Sequence, residues 1–300
     1  MTELRYATYD VFTDTRFAGN PLAVVFSADA LSDAQMQTIA REFNLSETIF
    51  VRAPQNAQHT AAVRIFTPTK ELPFAGHPTI GCAIALAEQR HGRNQPSDQI
   101  LVLEEKIGPV RCGVSLDPEQ ATFAEFSVPK LSEPAGPDPS VEAAAKALGL
   151  SEDDIGFGRY RPALFSAGVP FAMIPLASTD ALVRAKPSAQ SLFAALGSTE
   201  VFLFARADRE AAYSFNARMF APEIGIVEDP ATGSAAAAFA GMLARFEDLP
   251  DGWQTLPILQ GVEMGRPSLI GLEVQIEAGK LAGARIAGKA VKVSEGVLFC

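Results

Sequence analysis

The sequence predicts two α/β domains, each a sheet with one buried apolar helix. Three observations predict it. The chain has 300 residues, enough for two domains at roughly 100–200 residues each. Residues 64–81, RIFTPTKELPFAGHPTIG, and residues 218–233, RMFAPEIGIVEDPATG, share a pattern: Arg-x-Phe-x-Pro, a short stretch, a polar residue, Pro, two residues and Gly. Each copy then enters a small apolar segment, CAIALAEQ or SAAAAFAGML. A Pro-rich stretch, PKLSEPAGPDPS at 129–140, separates the copies and reads as a linker. The expected domains are 1–128 and 129–287, with a strand near 288–300 expected to return to the first.

The elements follow in order. Tyr6 to Phe12 is β-rich, GNP at 19–21 marks a turn, and LAVVF at 22–26 is a second strand. SDAQMQTIAREFN is a helix: Ser32 and Gln35 form a capping box, and Met36, Ile39, Ala40 and Phe43 form its apolar stripe. Asn44 suits its C-terminal end. LSETIFV at 45–51 and AAVRIFTP at 61–68 are strands. The loop TKELPFAGHP leads into a helix to about Gln89, closed by Gly92. Residues 99–116 read as a hairpin turning at Gly108-Pro109, and ATFAEFSVP is a further strand. Past the linker, VEAAAKALGL is a helix. Strands follow near 168–175, 200–205 and 211–222, then a helix from Thr232 or Gly233 to Arg245, and a strand-rich tail. The two Ala/Gly-rich helices are apolar on nearly every face, so each must be buried on all sides. The sheets are expected to wrap around them.

Composition narrows the function. The net charge is −10 and no basic stripe is present, which argues against nucleic acid. The longest apolar run, near 235–244, is far short of the ~18 residues a membrane helix needs. The N-terminus carries early acidic residues and no apolar segment of signal-peptide length. The three cysteines, Cys82, Cys112 and Cys300, show no CxxC spacing, which fits a reducing cytoplasm. The three His have no metal-type spacing, so no metal site is expected.

The candidate site residues lie in and near the repeat. A buried helix start offers free N–H groups and partial positive charge to anions. Gly76 and Gly233, with Ser234, sit at two such starts. Met in one cleft, they suit a small carboxylate. The polar residue of each copy differs, His77 in the first and Asp229 in the second. Asp229 with its following Pro also reads as a plain N-cap. His77 is a poor cap, which favours a functional role. Glu47 shares a strand face with Leu45, Ile49 and Val51. On a buried face its pKa would rise, which suits a proton shuttle; on the solvent face it would be ordinary. Ser234 fits either an anion ligand or a backbone-bonded helix serine. Arg64 and Arg218 fit either substrate ligands or solvent-reaching strand arginines.

DVFTDTRFAGNPLAVV, EFNLSETIFV, RIFTPTKELPFAGHPTIG and EDPATGSAAAA together resemble the phenazine-biosynthesis PhzF-like family, of the diaminopimelate-epimerase-like superfamily. The resemblance spans nearly the whole chain. It implies two pseudo-symmetric α/β (α+β) domains, each a curved sheet around a central apolar helix, with the site between them. It implies a homodimer and isomerase-type proton transfer without metal or organic cofactor. Glu47 matches the family's acid/base; His77 and Asp229 match residues that orient the substrate; Gly76, Gly233 and Ser234 match those that hold its carboxylate. The epimerase branch uses two thiols, and the matching places here hold Ala75 and Thr232, which excludes two-thiol chemistry.

The expected function is therefore a cofactor-independent, cytoplasmic isomerase. It moves a proton within a small amino- or hydroxy-substituted, unsaturated carboxylic acid. The rival is a non-catalytic carboxylate-binding or interaction protein on the same fold.

Overall fold

The fold is described from a computed structural model over residues 3–186 and 193–300. The chain separates into two compact units, Met1–Pro129 with Ala287–Cys300, and Lys130–Ile286.

The first unit contains β1 (Glu3–Val11), β2 (Asn20–Val25), α1 (Asp33–Phe43), β3 (Glu47–Arg52), β4 (Ala61–Phe66), the short β5 (Glu71–Leu72), α2 (Gly76–His91), β6 (Ser97–Glu105), β7 (Gly108–Leu116) and β8 (Thr122–Ser127). The Ser32 capping box starts α1, and Asn44 ends it in the left-handed conformation. In α2, Gly76 through Ala87 are all buried. A helix with no polar face must have strands on every side, and α2 meets β1, β2, β3, β6, β7 and β8. The pairing runs β1–β2 antiparallel, β2–β3 parallel, β3–β4 antiparallel, β4–β6 parallel, and β6–β7 and β7–β8 antiparallel. The sheet closes because β18 (Lys280–Phe299) pairs with both β1 and β8. The hairpin between β6 and β7 turns at Lys106-Ile107, two residues earlier than Gly108-Pro109; Gly108 already pairs with Glu105.

The second unit repeats the plan. After β9 (Glu133–Pro134) and α3 (Val141–Leu148) come β10 (Ala163–Ser166), β11 (Pro170–Pro175), α4 (Thr179–Arg184), β12 (Val201–Arg206), β13 (Phe215–Ala221), β14 (Ile226–Asp229), α5 (Gly233–Phe246), β15 (Gly252–Thr255), β16 (Ile258–Gln260) and β17 (Ser268–Glu277). The order of pairings from β10 is antiparallel, parallel, antiparallel, parallel, antiparallel: β10–β11, β11–β12, β12–β13, β13–β16 and β16–β17. This matches β1 through β7. The short β5 and β14 occupy equivalent places, antiparallel to β4 and β13. The strand β10 has no counterpart in the sequence reading. α5 is buried from Ala235 to Leu243. Its Phe239 ring sits 4.6 Å from Phe204 and 5.0 Å from Phe215, edge to face.

Small residues let both helices approach their surroundings closely. A Cβ at Gly81 would lie 2.5 Å from a Leu22 methyl and 2.8 Å from a Val11 methyl. One at Gly241 would lie 2.4 Å from Ser132 Oγ. No helix among the described residues is long and apolar enough to cross a membrane.

Candidate active site

The start of α2 carries the candidate residues of the first unit. Its N-cap is Ala75, which offers no side-chain cap. Gly76 and His77 are the first two helical residues, so their N–H groups have no partner within the helix. Pro78 brings no N–H of its own. His77 is buried with its Nδ1 3.3 Å from Asn20 Nδ2 and 3.4 Å from Glu47 Oε2. Burial pushes the imidazole down to about 3, so it is neutral at ordinary pH. Its Nε2 makes no hydrogen bond among the described residues.

Glu47 opens β3 and pairs in register with Leu22 of β2. Residues 47–51 are buried on both faces of that strand, so the solvent-face reading of Glu47 fails. A carboxyl and a neutral imidazole thus share a buried corner beside the Gly76 and His77 amides. Asn20 completes the corner. It begins β2, directly after a loop in which Phe12 and Phe17 take left-handed φ values of 64° and 70°. Such values are uncommon for bulky residues. The Phe17 N–H is held 2.6 Å from the Asp10 carboxylate.

The start of α5 carries the candidate residues of the second unit. Thr232 is the N-cap and makes no side-chain cap bond. Its hydroxyl donates instead to Asp229 Oδ2, at 2.5 Å. The buried Gln260 ties this turn together. Its Oε1 accepts the Thr232 N–H at 3.2 Å, and its Nε2 donates to the Asp229 carbonyl at 2.7 Å and to Thr232 Oγ1 at 3.1 Å. Gly233 and Ser234 follow as the first two helical residues, and Gly233 is buried. The Ser234 hydroxyl makes no hydrogen bond among the described residues, which removes the backbone-bonded reading.

Two sequence readings need correction. Asp229 is not an N-cap: it ends β14, three residues before the cap. The shared pattern of polar residue, Pro, two residues and Gly is therefore a match of letters only. Aligned on their own helix starts, His77 corresponds to Ser234. Arg64 and Arg218 are neither solvent-reaching nor free for a ligand. Arg64 forms a two-pronged pair with Glu71 of β5 and reaches Asp33 of α1 at 3.0 Å. Arg218 pairs with Glu228 of β14 at 2.8 and 3.0 Å and donates to the carbonyls of Leu182 and Ala185 at 2.9 Å. Each guanidinium also covers a Phe ring two residues on, Phe66 or Phe220. The repeated Arg-x-Phe is a brace between a long strand, a short strand and a crossing helix.

The two N-cap positions hold Ala75 and Thr232, not thiols. Cys82 is buried within α2, and burial raises its thiol pKa. Among the described residues no group of His, Cys, Asp and Glu could hold a metal ion. Sequence reasoning missed Asn20 and Gln260. Asn20 stood in a turn signal, GNP, where Asn needs no further reason. Gln260 stood as an amide at the end of an apolar strand, ILQ, and that polar break was its only signal.

A family model described as phenazine biosynthesis-like protein matches residues 9–296. An uncharacterized isomerase of Mesorhizobium japonicum is 50% identical over 307 residues, covering 100% of both chains. A trans-2,3-dihydro-3-hydroxyanthranilate isomerase of Pseudomonas fluorescens is 37% identical over 294 residues, covering 98% of each. Among solved structures, a Bacillus anthracis phenazine biosynthesis protein of the PhzF family superposes with a TM-score of 0.87 at 25% identity, covering 100% of both chains.

Proposed function

The chain belongs to the phenazine biosynthesis-like protein family and is an isomerase, and from that premise we propose that Glu47 moves a proton within a small unsaturated amino or hydroxy carboxylic acid. The observation that carries this reading is the buried Glu47 carboxyl beside a neutral His77 at the start of α2, where the Gly76 and His77 amides have no partner within the helix. As a carboxylate, Glu47 takes a proton from an acidified carbon. The electron pair left behind spreads over the conjugated system, and Glu47 returns the proton to a second carbon. The step starts and ends with the same protonation state of the enzyme.

The remaining residues bind and orient. The amides of Gly76 and His77 at the start of α2 are donors for a carboxylate or for charge that develops on oxygen, and the start of α5 offers donors of the same kind in the Gly233 and Ser234 amides and the Ser234 hydroxyl. His77 Nδ1 lies against Asn20 and Glu47, and Nε2, unbonded among the described residues, is left to meet the substrate. An imidazole at about 3 is a poor proton carrier near neutrality, so His77 orients rather than relays. Asp229, held by Thr232 and Gln260, is the second orienting residue. The relative from Pseudomonas fluorescens names one unsaturated, hydroxylated amino acid as a test compound.

The test is a panel of small unsaturated amino and hydroxy acids, including that compound, incubated with the protein in deuterated water and followed by NMR. The reading expects deuterium at one carbon of a carboxylic acid together with a shifted double bond. A panel that includes close analogues and shows neither label nor isomer contradicts it. Ser234→Ala should weaken carboxylate binding more than it slows turnover, and unchanged affinity would remove its role.

A further inference from the structure

Glu105 ends β6, and its carboxyl is buried against the first turns of α2. The Thr79 hydroxyl oxygen lies 2.7 Å from the Ala75 carbonyl oxygen and 2.7 Å from Glu105 Oε1. Two oxygens this close need a hydrogen between them. There are two such contacts, the hydroxyl has one hydrogen, and the carbonyl has none. The second hydrogen must come from Glu105. An ionised Glu105 accepting from Thr79 would leave bare oxygens facing each other at Ala75. It would also leave a carboxylate whose Oε2 is buried without a hydrogen bond among the described residues.

We propose that Glu105 is kept as a neutral carboxylic acid that locks the first turn of α2, and so positions the Gly76 and His77 amides. Glu105 donates to Thr79, Thr79 donates to the Ala75 carbonyl, and Ala75 is the cap from which Gly76 and His77 follow. The role of those amides rests on the isomerase reading above; the protonation state does not. Glu105 is a positioning residue and touches no substrate.

The surroundings agree. The titratable groups facing Glu105 from the elements packed on it are thiols, Cys82 of α2 and Cys112 of β7. Beyond it a surface groove carries Arg52, His59, Arg64, Lys106, Asp33 and Glu104. In that groove Arg64 and Lys106 are committed to Glu71, and His59 to Glu104. Burial, opposed in part by the Thr79 hydroxyl, lifts Glu105 from its ordinary 4.5 to about 8. Above that pH the carboxylate would claim the Thr79 hydroxyl hydrogen and leave the Ala75 carbonyl with the Thr79 N–H alone, at 3.2 Å.

The test is an NMR titration of the intact protein with its glutamate carboxyl carbons and backbone amides labelled. The Glu105 carboxyl should titrate near pH 8, and its signal should be missing from Glu105→Gln. The Gly76 and His77 amide shifts should follow the same titration in the wild type. In Thr79→Val the carboxyl should still titrate while those amides no longer respond. Thr79→Val also displaces the Glu105 signal and so assigns it if Glu105→Gln does not fold. A Glu105 carboxyl titrating in the ordinary carboxylate range overturns the proposal. So do Gly76 and His77 amides that stay fixed while Glu105 titrates. None of these readouts needs a substrate, so they stand or fall apart from the isomerase reading. Once a substrate is in hand, kcat should show an alkaline fall near pH 8 that Glu105→Gln lacks, and a fall retained in that variant overturns the positioning role.

Discussion

Glu47 and His77 lie 3.4 Å apart in a buried corner, and burial disfavours the charged form of the imidazole. The imidazole is held at about 3 against its ordinary 6.5. Between those values the unfolded chain binds a proton that the folded chain does not. Stability is therefore present above about 6.5 and lost as pH falls toward 3. At the acid end the loss attributable to this ring is on the order of 5 kcal/mol. His77→Gln should remove it, so its melting temperature should fall less than that of the wild type between about pH 6 and pH 4. Parallel melting curves would contradict the neutral, buried imidazole. Glu105 has the opposite sign. Its pKa is raised, so its contribution is complete below 4.5 and lost by about 8. Glu105→Gln should gain stability on the wild type as pH rises through that window, read by thermal melting at matched pH. At this scale the sequence showed Glu47 and His77, because a carboxylate in an apolar strand and a Pro-flanked His before an apolar helix are each out of place. It could not show Asn20 or Gln260. An amide becomes legible only when its partner is known, and those partners lie 57 and 28–31 residues away.

At the scale of elements, the all-apolar helices were the clearest signal, and their contacts explain why they contain glycine. Gly81→Ala forces a methyl against the Leu22 and Val11 side chains. It should cost about 1–3 kcal/mol by overpacking, measured by denaturant unfolding; a neutral or stabilising result would mean that α2 is not held as tightly as described. The arginine braces give a second prediction. Arg218 is buried and bound to Glu228 and two carbonyls. Arg218→Leu should destabilise by about 1–3 kcal/mol, because it leaves the half-buried Glu228 carboxylate and two carbonyls without their donor. KM should hold at temperatures where the variant is folded. A raised KM without lost stability would return Arg218 to the ligand set. The hairpin turn was misread by two residues because Gly-Pro is a strong turn signal. Here Gly108 and Pro109 pair with Glu105 and Glu104 instead, and a two-residue turn precedes them.

For the whole molecule, duplication was legible from the repeated segments, and the matching order of parallel and antiparallel pairings in the two units expresses it in the fold. What the letters misaligned was the register of each polar residue against its own helix. His77 lies inside the first turn of α2, whereas Asp229 lies outside α5. The first unit depends on the end of the chain, because β1 pairs along its length with residues 290–299 of β18. A chain ending at Ile286 should lose cooperative unfolding of that unit, read as early hydrogen exchange across β1 and α2. Retained protection there would show that the unit closes without its last strand. The account as a whole turns on one proton carrier. The most direct measurement is solvent-deuterium exchange into a turned-over substrate by wild type and Glu47→Gln, with ligand binding and melting temperature followed on the same samples. Glu47→Gln should bind the ligand and melt as the wild type does while exchange and turnover vanish; exchange that persists in that variant contradicts Glu47 as the acid/base.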